Sequence, residues 1–575
     1  MPKMPGMETN RLYYGDNLTV LREQIPSESV DLCYIDPPFN SARNYFVIFK
    51  DRTGEASQAQ SAAFEDTWTW SMDSEYAFNE LAAHQPNHEL QVCIAALRTM
   101  LKESPMMAYL VSMAQRFVEI HRVLKPTGSF YLHCDATASH YLKIVLDTVF
   151  SPKNFRGHIT WQRSDSHNDA KNQFSAVSDH ILFFGKGEVA TFNKQFVPHA
   201  DKTLVDWYQY VEFPDGATRR MTKEERESQK IPAGARRFNA DNMTSPNPRP
   251  NLMYEYKGYP YPAKGWRYSR EKMEELDQAG RLLFPKDPAG RIMLKRYLDE
   301  QSGVVVGDIW SDISQLRGTD AERLGYPTQK PLSLLRRIIE ASSNPGDVVL
   351  DCYCGCGTTV HAAHELGRRW VGIDITPVAV AVIKTRLEQT FDGLKVPVVG
   401  FPTDYEGAKS LFEADAYQFQ TWACTAVGAY PRLKKGADKG IDGDLPFFDY
   451  NEKHQKMVVQ VKGGKVSANQ IRDLRGTIER EKAAIGLFVC LEEPTKPMLQ
   501  EAAAAGLWSG GGGKDYPRIQ ILPIRAILEG SVYPQMPMQE KKSLLGFKAS
   551  KGTQKGQQKA AKITQINGQA ELVLE

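Results

Sequence analysis

"DVVLDCYCGCGTTVHAAHELGRRWVGIDI", residues 347–375, is the stretch that decides the fold class of this protein. It holds a short apolar run, a glycine-rich loop, a helix-length segment and a second apolar run. This order predicts strand, loop, helix and strand, which is typical of a parallel sheet covered by helices. "VDLCYID" (30–36) predicts another buried strand, and residues 113–135 predict a helix, a turn at 125–128 and a strand. The sequence therefore predicts an α/β fold.

The composition excludes several classes of protein. The chain has 575 residues, 42% of them hydrophobic and 24% charged, with a net charge of +2. This length predicts several domains, and any nucleic-acid binding must come from local basic patches. Eight cysteines are too few for a disulfide scaffold. No apolar run reaches the ~18 residues of a membrane span, and the first residues lack the apolar core of a signal peptide. We therefore expect a soluble, cytoplasmic protein without a membrane partner.

Changes of pattern along the chain predict its domain organisation. The middle of the first α/β pattern is interrupted by a segment rich in Arg, Lys, Tyr and Trp that shows little periodicity. A second α/β pattern follows, and the last residues contain few large apolar side chains, which favours disorder. The predicted segments are a first α/β domain (7–186 and 306–390), an insertion (187–305), a linker (391–408), a second α/β domain (409–530) and a basic, mostly disordered tail (535–575).

The glycine-rich loop predicts a nucleotide-like ligand. Asp351 and Asp374 end two neighbouring predicted strands, where open α/β sheets bind ligands, and Gly355 and Gly357 let the backbone approach closely. A carboxylate there can hold ribose hydroxyls or face a cationic amino group. The alternative is a strand–helix turn that binds nothing. The three cysteines of the loop lack the CxxC pair and fourth ligand of a zinc site, so we expect them to be packing residues.

The sequence Asp36-Pro37-Pro38-Phe39 follows the first predicted strand. Two prolines fix φ and bias the preceding residues towards extended geometry, so the loop is rigid. Asp36 and the Pro37 carbonyl can accept two N–H groups of an exocyclic amine, while Phe39 offers a face to a planar base. The loop therefore predicts a clamp for an aromatic amine. The alternative is a stiff turn with Phe39 in the core.

Together with "TQKP" (328–331), these two motifs resemble the amino-group DNA methyltransferases that use S-adenosylmethionine. The order of the motifs resembles the beta class, which includes the modification subunits of type III restriction systems. The resemblance implies a Rossmann-like methyltransferase domain and assigns roles by position. The catalytic residues would be Asp36, Pro37, Pro38 and Phe39. The cofactor-binding residues would be Asp16 (adenine), Thr328, Gln329 and Lys330 (pocket closure), Asp351, Tyr353, Gly355, Gly357 and Thr358 (methionine side) and Asp374 (ribose).

The resemblance also implies the substrate. A target base would flip out of double-stranded DNA and present its amine to the Asp-Pro-Pro-Phe loop. Usage of this motif within the family favours adenine N6 over cytosine N4, which stays the alternative. Tyr353 and Cys356 stand where the family usually has Phe and Ser, which puts cofactor affinity in question.

The insertion resembles a target recognition region. The residues expected to contact DNA are Arg219, Arg220, Arg236, Arg237, Lys264, Arg267 and Arg270, with Tyr254, Tyr256, Tyr259 and Trp266. The alternative is a solvated charged surface, because acidic residues nearly match the basic ones there.

The second α/β domain contains Asp442 in a glycine-rich turn before a strand that ends at Gln460-Val461-Lys462. Alternation places 460 and 462 on one face, and Asp442 can meet them across a hairpin. A carboxylate with a lysine at a strand end suits metal-assisted phosphodiester hydrolysis. The alternative is an ordinary hairpin.

The pattern resembles the Mrr-like branch of the PD-(D/E)xK restriction endonucleases. The resemblance implies a nuclease-like site of Asp442, Gln460 and Lys462, with Asp442 as the metal ligand and Mg²⁺ needed only if the domain is active. The family often has Glu where Gln420 stands, so cleavage is in question unless an additional acid compensates; the candidates are Asp438, Asp444 and Glu413. An active domain is expected to cut unmodified DNA, and the alternative is a domain that only binds DNA.

The resemblance to type III modification subunits implies a homodimer and a separate restriction subunit as partners. Two functions from other classes stay open at this stage. One is a DNA-binding regulator with both sites inactive, and the other is an RNA methyltransferase.

Overall fold

The computed structural model describes residues 7–39, 43–50, 56–66, 68–165, 172, 174–287, 289–324, 326, 328–432, 440–451, 453–537, 561–566 and 569–574. The chain forms two compact units. One unit is residues 194–307, and the other combines residues 1–193 with 308–575. The sequence placed the insertion at 187–305.

The helices of the described residues are numbered in chain order. They are α1 (Asn17–Gln24), α2 (Met72–Asn79), α3 (His88–Leu101), α4 (Pro105–Val123), α5 (Ser139–Phe150), α6 (Asp201–Trp207), α7 (Lys223–Ser228), α8 (Arg270–Gln278), α9 (Leu332–Ser342), α10 (Thr358–Glu365), α11 (Pro377–Thr390), α12 (Tyr405–Ala414), α13 (Ala416–Ala426), α14 (Ala468–Glu481), α15 (Lys496–Ala504) and α16 (Ile524–Leu528). Within the described residues, none of these helices has both the length and the apolar character needed to cross a bilayer.

The strands are numbered in the same way. They are β1 (Arg11–Tyr14), β2 (Val30–Ile35), β3 (Arg43–Lys50), β4 (Ala56–Asp66), β5 (Leu124–Cys134), β6 (Phe155–Gln162), β7 (Ser178–Gly185), β8 (Phe196–Val197), β9 (Tyr210–Glu212), β10 (Thr218–Arg220), β11 (Arg236–Asn242), β12 (Leu282–Leu283), β13 (Met293–Tyr297), β14 (Val304–Val305), β15 (Ile309–Trp310), β16 (Val348–Asp351), β17 (Arg369–Asp374), β18 (Val398–Val399), β19 (Tyr430–Pro431), β20 (Gly443–Phe448), β21 (His454–Lys462), β22 (Ile485–Cys490), β23 (Leu507–Ser509), β24 (Asp515–Pro517), β25 (Ile519–Pro523), β26 (Ala561–Ile566) and β27 (Gln569–Leu574).

The main sheet has the order β15-β6-β7-β5-β2-β16-β17-β1-β18. Strand β7 is antiparallel to β5 and β6, and the remaining pairs are parallel. The predicted strand–loop–helix–strand order of residues 347–375 is confirmed as β16, the loop, α10 and β17. Because both faces of a parallel sheet are covered, its strands are apolar throughout, and Val348, Val349 and Leu350 of β16 are buried.

Helix α4 supplies much of the core beside this sheet. Ser104 caps its N-terminus by accepting a hydrogen bond from the Met107 N–H, and Pro105 occupies its first turn. Its apolar stripe packs with α1, α3, α5 and β2 into one buried cluster. The turn predicted at 125–128 is instead a bulge inside β5, because Val30 pairs with Leu124 while Leu32 already pairs with Ser129.

The predicted linker at 391–408 is more ordered than the sequence indicated. Val398 and Val399 form β18, which pairs with β1 at the edge of the main sheet, and α12 begins at Tyr405. Two β-branched residues beside an open strand edge are enough to add a short strand to the sheet. Because the strand has only two residues, the sequence shows no alternation of apolar and polar residues that would predict it. In the predicted tail, β26 and β27 pair as an antiparallel hairpin, and residues 538–560 lie outside the described residues.

Residues 194–307 contain a five-stranded antiparallel sheet of order β10-β9-β11-β13-β12. The prediction that all its basic and aromatic residues meet DNA is wrong for three of them, because Trp266, Tyr256 and Arg237 are buried. Trp266 is buried in the core of this unit and donates its indole N–H to the Tyr254 carbonyl at 2.8 Å. Arg237 is also buried, and it donates to the Tyr208 carbonyl at 2.7 Å. In so small a unit the aromatic residues are needed for the core.

The second α/β domain has a five-stranded sheet of order β19-β20-β21-β22-β25. Strands β21, β22 and β25 are parallel, and β19 and β20 are antiparallel to their neighbours. Helices α14 and α15 cover one face, where Ile471, Leu474 and Met498 are buried against the sheet.

Candidate active site

Three carboxylates lie at the carboxyl ends of neighbouring parallel strands. Asp36 follows β2, while Asp351 and Asp374 end β16 and β17, which lie next in the sheet order. The register of these strands brings their ends to one edge, since Leu350 pairs with Cys33 and Asp351 with Gly372. Ligands of open α/β sheets bind at this edge.

A cavity of about 1160 Å³ opens at this edge. It brings together every catalytic and cofactor-binding residue predicted from the sequence except Gly357. The predicted residues that line it are Asp16, Asp36, Pro37, Pro38, Phe39, Thr328, Gln329, Lys330, Asp351, Tyr353, Gly355, Thr358 and Asp374. Gly357 is not among the lining residues. Its backbone has φ +76, and a Cβ there would lie 2.9 Å from Ile383, so this glycine lets α10 pack closely on α11.

The glycine-rich loop is tied to both strand ends. The Gly355 N–H donates to Oδ2 of Asp374 at 2.8 Å, and the Tyr353 N–H donates to Oδ1 of Asp351 at 2.9 Å. Thr376 donates its N–H and its hydroxyl to Oδ1 of Asp374, at 2.8 and 2.9 Å. The loop therefore holds the carboxylates in fixed positions and leaves its glycine backbone facing the cavity.

The electrostatics of the cavity favour a cationic ligand. Burial and, to a smaller extent, the nearby carboxylates of Asp36 and Asp374 together raise the pKa of Asp351 to about 7, although hydrogen bonds from Thr359 and the Tyr353 N–H act in the opposite direction. Burial also raises the pKa of Asp374. No lysine or arginine of the described residues forms an ion pair with Asp351. A cation placed near this carboxylate would offset its burial.

The Asp-Pro-Pro-Phe loop carries an ion pair. Nζ of Lys330 lies 2.5 Å from Oδ2 of Asp36, and the same Nζ lies 5.6 Å from the centre of the Phe39 ring. Both charged side chains are largely buried, at 10% exposure for Lys330 and 18% for Asp36. Lys330 thus contacts the Asp-Pro-Pro-Phe loop and also lines the cavity, and the sequence did not indicate the contact with Asp36.

A buried polar network supports Phe39 from behind. The Phe39 ring stacks on His133, with ring centres 6.0 Å apart and an angle of 15°. Nδ1 of His133 lies 3.0 Å from the Tyr34 hydroxyl, and its Nε2 lies 3.2 Å from Oδ2 of Asp179. Burial raises the pKa of Asp179, but His133, Lys330 and Arg163 together hold it below its usual value.

The far end of the cavity is fixed by α1 and α4. Asp16 caps α1 by accepting from the Leu18 N–H at 2.9 Å, and its other oxygen pairs with Arg116 at 2.9 Å. Arg116 also donates to Oδ1 of Asn17 at 2.6 Å, and Asn17 donates to the Cys352 carbonyl at 2.8 Å. The start of α1 is thereby linked to the glycine-rich loop that follows β16.

The "TQKP" segment closes one side of the cavity. Gln329 binds its own loop, since its Oε1 accepts from the Leu324 N–H and its Nε2 donates to the Glu322 carbonyl, both at 2.8 Å. Thr328 adopts φ +58, a strained value for a β-branched residue. These contacts aim Lys330 at Asp36.

Sequence reasoning missed Arg116, His133 and Asp179. A strand-end signal existed for His133, which lies one residue before the end of β5, beside β2. Arg116 gave no signal, because a single arginine on an amphipathic helix is usually a surface residue.

A family model described as DNA methylase matches residues 30–385, which is more than half of the chain. The chain belongs to the DNA methylase family. Type II methyltransferase M.EcaI of Enterobacter cloacae is 31% identical over 48% of this methylase and 57% of its own length. The StyLTI Mod subunit of a type III restriction-modification enzyme from Salmonella typhimurium is 24% identical over 62% of this methylase and 50% of its own length. The methylase thus spans little more than half the length of these two relatives.

A third relative is spanned more completely. DNA adenine methyltransferase YhdJ of Escherichia coli is 23% identical, over 67% of this methylase and 85% of its own length. A second family model, described as NACHT-associated inactive restriction endonuclease 1, matches residues 416–523. The match supports a domain resembling restriction endonucleases at the predicted place in the methylase.

The three loop cysteines of the methylase are buried. Burial raises the pKa of the Cys354 and Cys356 thiols, and Cys352 packs in the main core while Cys356 packs beside Tyr326. Across the described ranges, no group of three metal-ligating side chains occurs.

The endonuclease-like domain brings Asp442 opposite Gln460. The β20–β21 register pairs Gly443 with Val459, and Oδ2 of Asp442 accepts from the Val461 N–H at 2.6 Å. Both Asp442 and Gln460 are buried, and Oε1 of Gln460 has no hydrogen-bond partner among the described residues. Lys462 ends β21 and is half-buried.

The additional acids expected at this site do not join it in the described residues. Asp444 forms two hydrogen bonds with Arg432, at 2.6 and 2.8 Å, and Glu413 is exposed on α12. Asp438 lies outside the described residues. One carboxylate and a neutral amide offer a divalent cation less negative charge than a pair of carboxylates would.

Proposed function

We propose that this methylase transfers a methyl group from S-adenosylmethionine to the N6 amino group of adenine in double-stranded DNA. The observation that carries the proposal is that the Asp-Pro-Pro-Phe loop and the Asp351–Asp374 loop line one cavity. An amine methyltransferase needs two adjacent binding sites, one for the target amine and one for the cationic nucleoside that carries the methyl group.

The residues present fit S-adenosylmethionine. The cavity volume of about 1160 Å³ suits a cofactor together with a flipped base. Asp351 would face the cationic amino-acid end, because its burial is otherwise uncompensated. Asp374 would accept from ribose hydroxyls, and Gly355 gives backbone access. When bound, the cofactor supplies an electrophilic methyl group.

The chain's own residues would then position the amine. Asp36 and the Pro37 carbonyl accept its two N–H groups, which directs the nitrogen lone pair away from them and towards the cofactor side. Phe39, held by its stack on His133, offers a face to the base. Asp36 is the nearest acceptor for the proton that leaves the amine after transfer. Adenine is favoured over cytosine by the Asp-Pro-Pro-Phe motif, and the name of the relative YhdJ supports it.

We propose that the insertion contacts the DNA duplex. The exposed basic residues among those predicted to contact DNA differ in whether an acidic side chain already pairs with them. Arg236 is held by Asp299 and Glu300, at 2.9 and 2.7 Å, so it is a poor candidate. Three others are exposed and donate to neutral oxygen atoms, which leaves their charge available to phosphates; they are Arg220, Lys264 and Arg270.

We propose that the endonuclease-like domain does not cut DNA. The support is its donor set of one carboxylate, with Gln460 in place of a second acid, together with the word "inactive" in the family description. Restriction would then need a separate subunit, and this methylase would act as the modification partner of a restriction-modification system, as a homodimer. The rival is a domain that cuts unmodified DNA.

One experiment tests these proposals together. Full-length protein is incubated with unmethylated DNA and labelled S-adenosylmethionine, with and without Mg²⁺, and the DNA is digested to nucleosides. We expect label on N6-methyladenine without Mg²⁺, a loss of at least about a hundredfold in Asp36→Ala, and intact DNA throughout. Asp392→Ala, at an exposed position that does not line the cavity, is the control. Label on N4-methylcytosine would contradict the proposal that adenine is the target base. Mg²⁺-dependent cuts would contradict the proposal that the endonuclease-like domain does not cleave DNA.

A further inference from the structure

The cavity of the methylase has a wall that the methylase motifs do not supply. Four of its lining residues are Asp415, Tyr417, Gln418 and Thr421. The last three lie on α13, the first helix of the segment that matches the restriction-endonuclease family model, and Asp415 is its N-cap. The cavity is therefore shared between the two α/β domains.

Direct contacts hold α13 beside the nucleoside end of this cavity. The Tyr14 hydroxyl, at the end of β1, donates to the Gln418 carbonyl at 3.2 Å. Tyr14 is buried, and its ring packs edge-on against Phe401 with centres 5.4 Å apart. Tyr14 pairs with Asp374 in the β1–β17 ladder. Burial raises the pKa of Tyr14, and the carboxylates of Asp415 and Asp374 raise it further. Asp374 is the residue proposed to hold the ribose.

Gln418 has the chemistry to read a purine. It is only 8% exposed and lines the cavity. Its described hydrogen bonds to other elements and to the helix cap use backbone atoms, the carbonyl with Tyr14 and the N–H with Asp415. The side-chain amide is therefore available to a ligand. A glutamine amide matches the donor and acceptor edge of adenine with its own acceptor and donor.

We propose that Gln418 of the endonuclease-like domain binds the adenine ring of S-adenosylmethionine, which makes this domain a part of the cofactor site. The inference rests on the proposed function, because it assumes that the cofactor binds with its ribose at Asp374. It gives the second domain a role that does not depend on metal binding by the buried carboxylate of Asp442. Cofactor binding then orders α13 together with the glycine-rich loop.

The first test is calorimetric titration of full-length protein with S-adenosylmethionine and, separately, with methylthioadenosine, which lacks the amino-acid end. Loss of one neutral hydrogen bond predicts affinity about three- to tenfold weaker in Gln418→Ala, by the same factor for both ligands. Gln420→Ala is the matched control, because this glutamine lies on the same helix and does not line the cavity. Equal affinity of Gln418→Ala and Gln420→Ala would overturn the proposal.

The second test needs no substitution. Amide hydrogen exchange of the wild-type chain is compared with and without S-adenosylmethionine. We expect slower exchange both at residues 353–358 and at residues 416–421. Protection of the loop alone would overturn the inference and leave the proposed function intact. No binding and no protection anywhere would overturn the proposed function itself, so the two failures are distinguishable.

Discussion

Nζ of Lys330 lies 2.5 Å from Oδ2 of Asp36, so the carboxylate that we propose to be catalytic is held by a cation from a segment almost three hundred positions away. Only one oxygen of Asp36 takes part in this contact, and the other is left for the target amine. Lys330 therefore both orients Asp36 and joins the cofactor cavity to the base clamp.

Lys330→Met is expected to lower the kcat for DNA methylation about tenfold or more, because Asp36 loses the contact that fixes its orientation. The affinity for S-adenosylmethionine should change by less than about threefold, since the ion pair lies on the base side. Steady-state kinetics at saturating cofactor measure the first effect, and calorimetry measures the second. Lys330→Arg should keep part of the rate. A faster Lys330→Met enzyme would instead mean that Lys330 competes with the amine.

Cofactor binding should release protons near neutral pH. The pKa of Asp351 is raised to about 7 in the free protein, so this group is about half protonated at pH 7. A bound cation favours the carboxylate and lowers that pKa, so a proton leaves on binding and affinity rises with pH up to about 8. Calorimetry in buffers of different ionisation enthalpy should show release of about half a proton at pH 7, and the release should decrease as the pH rises to about 8.

The control for this effect is Asp351→Asn, which cannot release a proton at this position. Wild-type release that persists in Asp351→Asn would assign the proton to another group. The neighbouring carboxylates of Asp36 and Asp374 are unchanged in this variant.

Gly357→Ala should destabilise the methylase domain more than Gly367→Ala does. Both glycines have positive φ, +76 and +71, which costs an alanine about 1–2 kcal/mol. A Cβ at Gly357 would also lie 2.9 Å from Ile383, whereas nothing lies within 4 Å of a Cβ at Gly367. Overpacking adds about 1–3 kcal/mol. Thermal unfolding of the two variants measures the difference in stability. Equal melting temperatures would show that α11 moves to accommodate the added Cβ at no cost in free energy.

Gln460→Glu is expected to create a divalent-metal site that the wild-type domain does not have. The new carboxylate would face Asp442 across the hairpin, and two carboxylates at one point attract Mg²⁺ or Mn²⁺. A rise of melting temperature on addition of millimolar Mn²⁺ should appear in this variant alone. Gln460→Leu, which has similar size and no charge, serves as the control. An equal rise in wild-type protein would show that other residues already complete a metal site.

The sequence by itself determined the α/β class, because the apolar runs and the glycine-rich loop at 347–375 are local features that report the strand and helix periods directly. It also determined that Asp36, Asp351 and Asp374 line one cavity, since carboxyl ends of parallel strands meet at one edge whatever the loops between them do. The sequence did not predict the bulge in β5 or the edge strand β18, because both depend on pairing with strands far away in the chain.

Only the tertiary structure decided which partners each side chain has. It joined Lys330 to Asp36, placed Trp266 and Arg237 inside the insertion, and brought Gln418 to the cavity. The physical reason is that periodicity fixes the face on which a residue lies, whereas an ion pair or a shared wall depends on how separate elements pack. Residues far apart in the chain carry no local record of that packing.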